Sequence, residues 1–168
     1  MLIDCHVHLD TFSDQEVSSV LDRGRSAGVE YVVSAGTTLA SSRRSIELSS
    51  RFAGLSSCVG IHPMDIRSPV DQSTYEQLLG LARSSDQVVA VSEIGLDYME
   101  GAPERAMQFQ AFREQIRLAR ELALPIVFHS RDAHEDVLRV LREERAYELG
   151  GAMHYFQASE ATARTAID

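Results

Sequence analysis

Short apolar runs alternate along this chain with longer stretches in which apolar residues recur at helical spacing. Several of the short runs are nearly continuous in valine and isoleucine, which is typical of parallel strands covered on both faces. The pattern predicts strands near residues 2–8, 30–35, 56–61, 88–93, 125–129 and 150–155. It predicts helices over residues 14–28, 38–52, 71–83, 103–122 and 132–144, and from 159 onward.

The polar residues that follow the strands favour a barrel over an open sheet. Five of the six histidines lie at or near the end of an apolar run, and Glu93 closes the run over residues 88–92. In a barrel all βα-loops converge on one mouth, whereas an open sheet concentrates its site at one switch point. We therefore predict an α/β fold of the TIM-type (β/α) barrel class. About six of its eight βα units are present, because a closed barrel needs about 250 residues.

Composition bounds the environment and the partners of the chain. The 168 residues are expected to form a single domain over 1–168 that lacks the last strands of the barrel. Lysine and arginine number 16 against 25 acidic residues, a net charge of −9, so a phosphate-bearing ligand would need local cations such as bound metal ions. Neither a signal peptide nor an 18-residue apolar run is found, so we expect a cytoplasmic location and no membrane partner. Cys5 and Cys58 are predicted to be small buried residues rather than a disulfide pair.

The strand-end histidines and Glu93 are candidate metal ligands. His6 and His8 are two positions apart in a predicted strand, so both imidazoles point to one side and could share one ion. A His-x-His segment alone is a weak signal, and a polar strand end without metal is the alternative. Glu93 would be costly to bury unpaired, so it either binds metal, bridging two ions with His129 and His154, or pairs with an arginine.

Three further residues at the predicted mouth are candidates for contact with substrate. His62 precedes a proline-fixed turn and either contacts substrate or serves the turn alone. Arg131 either receives an anionic group or forms a structural ion pair, and Asp97 could hold a water or a sugar hydroxyl. His134, which lies inside a predicted helix, is interpreted as a solvated surface residue and is not a candidate.

Five ordered segments resemble the TatD family of metal-dependent deoxyribonucleases, within the amidohydrolase-like barrels. They are residues 3–10 (IDCHVHLD), 60–63 (GIHP), 92–98 (SEIGLDY), 128–133 (FHSRDA) and 151–156 (GAMHYF). The resemblance covers the whole chain, and five motifs in this order are far more specific than any single one.

The resemblance implies a site with two divalent metal ions and suggests Mg²⁺ or Mn²⁺, while the mixed imidazole and carboxylate ligands also admit Zn²⁺. It implies that His6 and His8 bind one ion, that Glu93 bridges to a second, and that His129 and His154 hold the second. Members of the family also use an aspartate in a Ser-Asp-x-Pro segment on a later strand, which this chain does not contain. Asp168 lacks both the preceding serine and a strand context, so it is not a candidate for that position.

Three functions follow as hypotheses. The first is a deoxyribonuclease that cleaves DNA phosphodiester bonds with a metal-activated water, acting on single strands or ends, with Glu93 and His62 as catalytic residues and no obligate protein partner. The second is a hydrolase of small ester, amide or aminoacyl substrates on the same site, because fold does not fix substrate. The third is an inactive metal-binding fragment.

Overall fold

A computed structural model describes residues 1–167 and confirms the alternation of strands and helices. The elements are β1 Leu2–Val7, α1 Asp14–Ser26, β2 Val29–Ala35, α2 Leu39–Arg51, β3 Leu55–Val59, α3 Gln72–Arg83, β4 Val88–Asp97, α4 Arg105–Leu122, β5 Ile126–Arg131, α5 His134–Glu143, β6 Gly151–Met153 and α6 Glu160–Ile167. Short 3₁₀ helices span Pro63–Asp65 and Ala146–Glu148. Within this part of the chain, no helix combines the length and the apolar character needed to cross a bilayer.

The six strands form one parallel sheet in the order β1-β2-β3-β4-β5-β6, with each strand beside its neighbour in the sequence. The sheet curls so that side chains from the carboxyl ends of its first and last strands touch across its concave side, where the rings of His6 and His154 stack with centroids 3.7 Å apart. The architecture is therefore an incomplete TIM-type barrel, as the sequence predicts.

Helix α4 packs against one face of β4, which is apolar, whereas the other face of the strand is polar. Ile94 and Leu96 belong to the main core cluster together with Phe112 and Ile116 of α4. Because side chains alternate along a strand, Glu93 and Asp97 point away from this core, to the concave side of the sheet. The core thus fixes the direction in which the polar residues of β4 point.

The ends of the strands differ from the prediction on β4 and β6. Strand β4 continues to Asp97, so Glu93 lies within the strand and does not end it. The extension exists because residues 94–97 pair in register with residues 128–131 of β5, after a register shift between Val91 and Ile94. Strand β6 is confined to Gly151–Met153, so His154 directly follows it.

The two cysteines differ in their exposure. Cys58 is 1% exposed, and burial raises the pKa of its thiol to about 12. Cys5, predicted to be buried, is exposed on β1. The prediction was wrong for Cys5 because β1 is an edge strand whose outer side pairs with no strand in residues 1–167.

Candidate metal centre

The carboxylate of Glu93 lies at the centre of the concave mouth and is 3% exposed. Its Oε2 atom lies 3.2 Å from Nε2 of His6 and 3.6 Å from Nε2 of His8. The ion-pair partners of Glu93 in residues 1–167 are all histidines. The alternative in which an arginine neutralises this buried carboxylate is therefore wrong.

The second carboxylate oxygen of Glu93 faces a different group of imidazoles. Its Oε1 atom lies 3.1 Å from Nδ1 of His129, 3.7 Å from Nε2 of His62 and 3.9 Å from Nε2 of His154. The fold thus brings together all five strand-end histidines of the sequence analysis. They divide into two groups, one at each oxygen of Glu93.

Among residues 1–167, two sets of side chains are compact enough to hold a metal ion, with their ligand atoms all within 4.8 Å of one another. They are His6, His8 and Glu93, and His62, Glu93 and His129. The first set matches the pair expected from sequence. The second contains His62 in the position expected for His154, because the ring of His154 is stacked on that of His6.

The groups behind His8 and His129 set which nitrogen each ring presents to Glu93. Nδ1 of His8 lies 3.3 Å from the carbonyl oxygen of Ala35, and Nε2 of His129 lies 2.8 Å from Oδ2 of Asp97. Since a carbonyl and a carboxylate only accept hydrogen bonds, these two nitrogens carry the protons. The opposite nitrogens, Nε2 of His8 and Nδ1 of His129, face the carboxylate of Glu93. A hydrogen bond to Glu93 raises the pKa of His8, and hydrogen bonds to Glu93 and Asp97 outweigh burial and raise the pKa of His129. When such a ring is neutral and keeps its proton on the outer nitrogen, the nitrogen that faces Glu93 has a lone pair for an ion.

His62 turns its protonated nitrogen toward the mouth. The backbone N–H of Met64 donates to Nδ1 of His62 over 3.1 Å, so the proton of the neutral ring is on Nε2. Burial lowers the pKa of His62 to about 4, which keeps the ring neutral at pH 7. Nε2 of His62 therefore reaches the mouth as a hydrogen-bond donor.

The histidines determine the charge state of Glu93. Burial alone would raise the pKa of its carboxyl, but hydrogen bonds from His129, His6 and His8 outweigh burial and hold this pKa well below its usual range. Nδ1 of His6 is buried without a hydrogen-bond partner in the described residues. The mouth thus holds an ionised carboxylate among imidazole nitrogens, a donor set that suits a divalent ion.

Asp97 lies behind His129 and not on the open surface of the mouth. It is completely buried; Oδ1 accepts a hydrogen bond from the backbone N–H of Met99 over 2.9 Å, and Oδ2 contacts His129. Both oxygens thus contact groups of the protein, and the expected contact of Asp97 with substrate stays a prediction. Asp97 contacts the ring of a candidate ligand.

A cavity of about 300 Å³ adjoins the mouth. It is lined by His129, Ser130, Arg131, Asp132, His134, His154, Tyr155 and Gln157. The side chain of Arg131 is 46% exposed there, with Nη1 3.8 Å from Oδ2 of Asp97.

His134, interpreted from sequence as a solvated residue, lies in the cavity wall with Nδ1 2.7 Å from Oγ of Ser130. Its position five residues after His129, at the start of α5, was the available signal. Asp168 lies outside the described residues.

An incomplete TIM-type barrel with imidazoles and a carboxylate gathered at the carboxyl ends of its strands defines the class of metal-dependent barrel hydrolases. The chain belongs to the TatD family, since the family model described as TatD related DNase matches residues 3–168. The family resemblance stated from the sequence motifs is thereby confirmed.

Individual relatives agree with this membership. The chain is 37% identical over 167 residues to the uncharacterized metal-dependent hydrolase YabD of Bacillus subtilis, covering 98% of this chain and 64% of the relative. It is 38% identical over 154 residues to the 3'-5' ssDNA/RNA exonuclease TatD of Cronobacter turicensis, covering 92% of this chain and 58% of the relative. The crystal structure of the TatD homologue YjjV from Escherichia coli superimposes with a TM-score of 0.88 at 31% identity, covering 99% of this chain and 64% of that one. The chain thus spans less than two thirds of the length of these relatives.

Proposed function

We propose that residues 1–168 form a single metal-dependent hydrolase domain that binds two divalent ions and hydrolyses phosphodiester bonds in DNA. One observation carries this proposal: the two oxygens of the buried Glu93 face two separate groups of imidazoles. A carboxylate in that position can contribute one oxygen to each of two ions. A purely structural carboxylate needs only one partner of opposite charge.

The tautomers guide the assignment of ligands. We assign His6, His8 and Glu93 to the first ion, and Glu93, His129 and His154 to the second. In the neutral rings of His8 and His129, the acceptor behind each ring keeps the proton on the outer nitrogen, which leaves the nitrogen that faces Glu93 able to bind an ion. His62 is close enough to join the second set, but its Nε2 carries a proton and is not available as a ligand.

Mixed imidazole and carboxylate ligands are compatible with Mg²⁺, Mn²⁺ or Zn²⁺. A bound divalent ion supplies positive charge for the phosphate oxygens and lowers the pKa of water. The residues of the chain provide what surrounds the ions. His62 offers its Nε2–H to an oxygen of the substrate, Arg131 offers its guanidinium to a neighbouring phosphate, and Asp97 keeps the ring of His129 in place.

The relative from Cronobacter turicensis supports nucleic acid as the substrate class, because its name describes an exonuclease of single-stranded DNA and RNA. We extend that substrate class to this chain, with single-stranded DNA or DNA ends as the substrate. The ions and Arg131 would supply the local positive charge that a protein with a net charge of −9 otherwise lacks.

Two observations favour a second candidate, a hydrolase of small ester, amide or aminoacyl substrates. The net charge of −9 repels long polyanions, and the cavity of about 300 Å³ beside the mouth is the size of a small molecule. The same metal centre would serve attack on a carbonyl carbon. The substrate therefore separates the two candidates, and the ligand set does not.

A direct comparison of substrates tests both candidates. Purified protein with Mn²⁺ is incubated with a 5'-labelled single-stranded oligonucleotide or with a p-nitrophenyl ester, each with and without EDTA. Cleavage of the oligonucleotide that EDTA stops supports the nuclease, and EDTA-sensitive turnover of the ester alone supports the second candidate. Metal uptake without turnover of either substrate indicates the metal-binding fragment, and cleavage that EDTA does not affect rejects the proposed centre.

Metal binding is expected to stabilise the fold. An ion that binds only the folded state at about 100 times its dissociation constant adds about 2.7 kcal/mol to the free energy of unfolding. Urea unfolding of the metal-free protein, with and without Mn²⁺, measures this difference. Equal midpoints under both conditions would contradict a metal site in the folded chain.

Asp97→Asn is expected to weaken Mn²⁺ binding by about 10- to 100-fold. An asparagine cannot accept from both Met99 N–H and His129 Nε2–H, so the ring of His129 turns or carries its proton on Nδ1, the nitrogen that faces Glu93. Isothermal titration calorimetry measures the affinity.

Asp71→Asn is the matched control, because Asp71 is an exposed N-cap of α3 and asparagine caps helices equally well. Unchanged Mn²⁺ affinity in Asp97→Asn would show that the contact with His129 has no part in ion binding.

A further inference from the structure

Helix α4 places two buried glutamines directly behind the candidate metal centre. Gln108 and Gln115 are seven residues apart on the same face of the helix, and each is 1% exposed. Leaving a primary amide unpaired in an apolar core costs free energy, so buried glutamines need fixed partners. In both cases the partners are backbone groups at or just beyond the carboxyl ends of β3 and β4.

Each glutamine holds both backbone groups of a single residue. Ile61 N–H donates to Oε1 of Gln115 over 2.6 Å, and Nε2 of Gln115 donates to Ile61 C=O over 3.1 Å. Asp97 N–H donates to Oε1 of Gln108 over 2.8 Å, and Nε2 of Gln108 donates to Asp97 C=O over 2.8 Å. Two antiparallel hydrogen bonds to one residue fix both the position and the rotation of its backbone.

The two clamped residues are those on which the site depends. Asp97 contacts Nε2 of His129 over 2.8 Å, so Gln108 acts on His129 through Asp97. Nε2 of Gln108 also donates to Pro103 C=O over 2.8 Å, which ties the loop before α4 to the same point. Ile61 immediately precedes His62, so Gln115 sets the place from which the His62 ring enters the mouth.

We propose that Gln108 and Gln115 are positioning residues of the metal centre, Gln108 for the ligand His129 and Gln115 for the substrate-facing His62. The inference rests on the proposed function, because it assigns those roles to the two histidines. It adds that a helix on the outer face of the sheet sets the geometry of the mouth through two side-chain amides.

A third glutamine of α4, Gln110, provides a control that distinguishes positioning of the site from general stabilisation of the fold. Val70 N–H donates to Oε1 of Gln110 over 2.9 Å, and Nε2 of Gln110 donates to Val70 C=O over 2.8 Å. The two hydrogen bonds have the same form, but Val70 lies before α3. They therefore do not connect Gln110 to any candidate site residue. A replacement of Gln110 therefore removes an equivalent pair of hydrogen bonds without changing the candidate metal centre.

The test compares Gln108→Met, Gln115→Met and Gln110→Met, since methionine has a similar length and neither donates nor accepts a strong hydrogen bond. Mn²⁺ affinity is measured by calorimetry, the absorption spectrum of bound Co²⁺ reports ligand geometry, and urea unfolding reports stability. We expect Gln108→Met to weaken Mn²⁺ binding by about 10- to 100-fold and to alter the Co²⁺ spectrum. Gln110→Met should match the wild type in both.

Gln115→Met should keep the Co²⁺ spectrum and raise KM for the cleaved substrate, because His62 faces the substrate and is not a ligand. If Gln108→Met does not fold, Gln108→Asn decides the same comparison, since its side chain is shorter by one methylene and withdraws the amide from both backbone groups of Asp97. Gln108 variants that bind Mn²⁺ and Co²⁺ as Gln110→Met does would overturn the inference. A wild-type protein that takes up no metal would instead reject the proposed function.

Discussion

Glu93→Gln is expected to lower the EDTA-sensitive hydrolysis rate by about a thousandfold, which corresponds to a loss of about 4 kcal/mol in transition-state stabilisation. The amide is neutral and keeps only one acceptor atom, whereas both oxygens of Glu93 are directed at imidazole groups. The substitution therefore removes the charge shared by the two proposed ions and one of the two contacts. Calorimetry with Mn²⁺ should show weakened binding in the same variant.

Glu76→Gln is the matched control for this experiment, because Glu76 is exposed on α3 and its replacement changes the net charge by the same amount. Rates in Glu76→Gln should equal those of the wild type. A Glu93→Gln protein that folds and still cleaves at the wild-type rate would contradict the proposed centre. Intact folding is checked by its circular dichroism spectrum.

Gly95→Ala is expected to lower the free energy of unfolding by about 2 to 6 kcal/mol, the sum of backbone strain and overpacking. Gly95 has φ +142°, and a Cβ there would lie 2.0 Å from the carbonyl oxygen of His129. The obstacle is the backbone of β5, which pairs with Gly95 in register and cannot turn aside. Relief requires β5 to move and His129 with it, so Mn²⁺ affinity should fall as well.

Gly80→Ala gives the opposite sign and serves as the control. Gly80 lies inside α3, and an added Cβ there meets nothing within 4 Å. Alanine in place of an exposed helical glycine stabilises by about 0.5–1 kcal/mol. Urea unfolding of both variants measures the two changes, and equal effects would show that the close approach of β4 to β5 at Gly95 is not tight.

The sequence predicted the order and type of the elements because those depend on local patterns. All six strands and six helices appear where hydrophobic spacing and turn residues place them, and their bounds shift by a few residues. The strand-end histidines could be chosen as ligands because parallel strands carry their functional residues to one edge. Glu93 stood out since a carboxylate after an apolar run needs a partner.

Two features of the site could not be read from the pattern, and a third could be read only in part. The extension of β4 to Asp97 depends on pairing with β5, which local propensity does not encode. The burial of Asp97 behind His129 follows from that pairing. The glutamine clamps left a readable signal, because Gln108 and Gln115 interrupt the apolar stripe of α4 at a spacing of seven, but their partners lie far away in sequence.

By itself the sequence determined the family, the barrel class and which residue types surround the mouth, because period and motif spacing are properties of short segments. The tertiary structure alone decided that Glu93 divides its oxygens between two groups of imidazoles, and that an acceptor lies behind the ring of His129 whereas a donor lies behind that of His62. The physical reason is that ligand chemistry depends on distances of a few ångströms and on whether a donor or an acceptor lies behind each ring. Those quantities are set by sheet curvature and strand register.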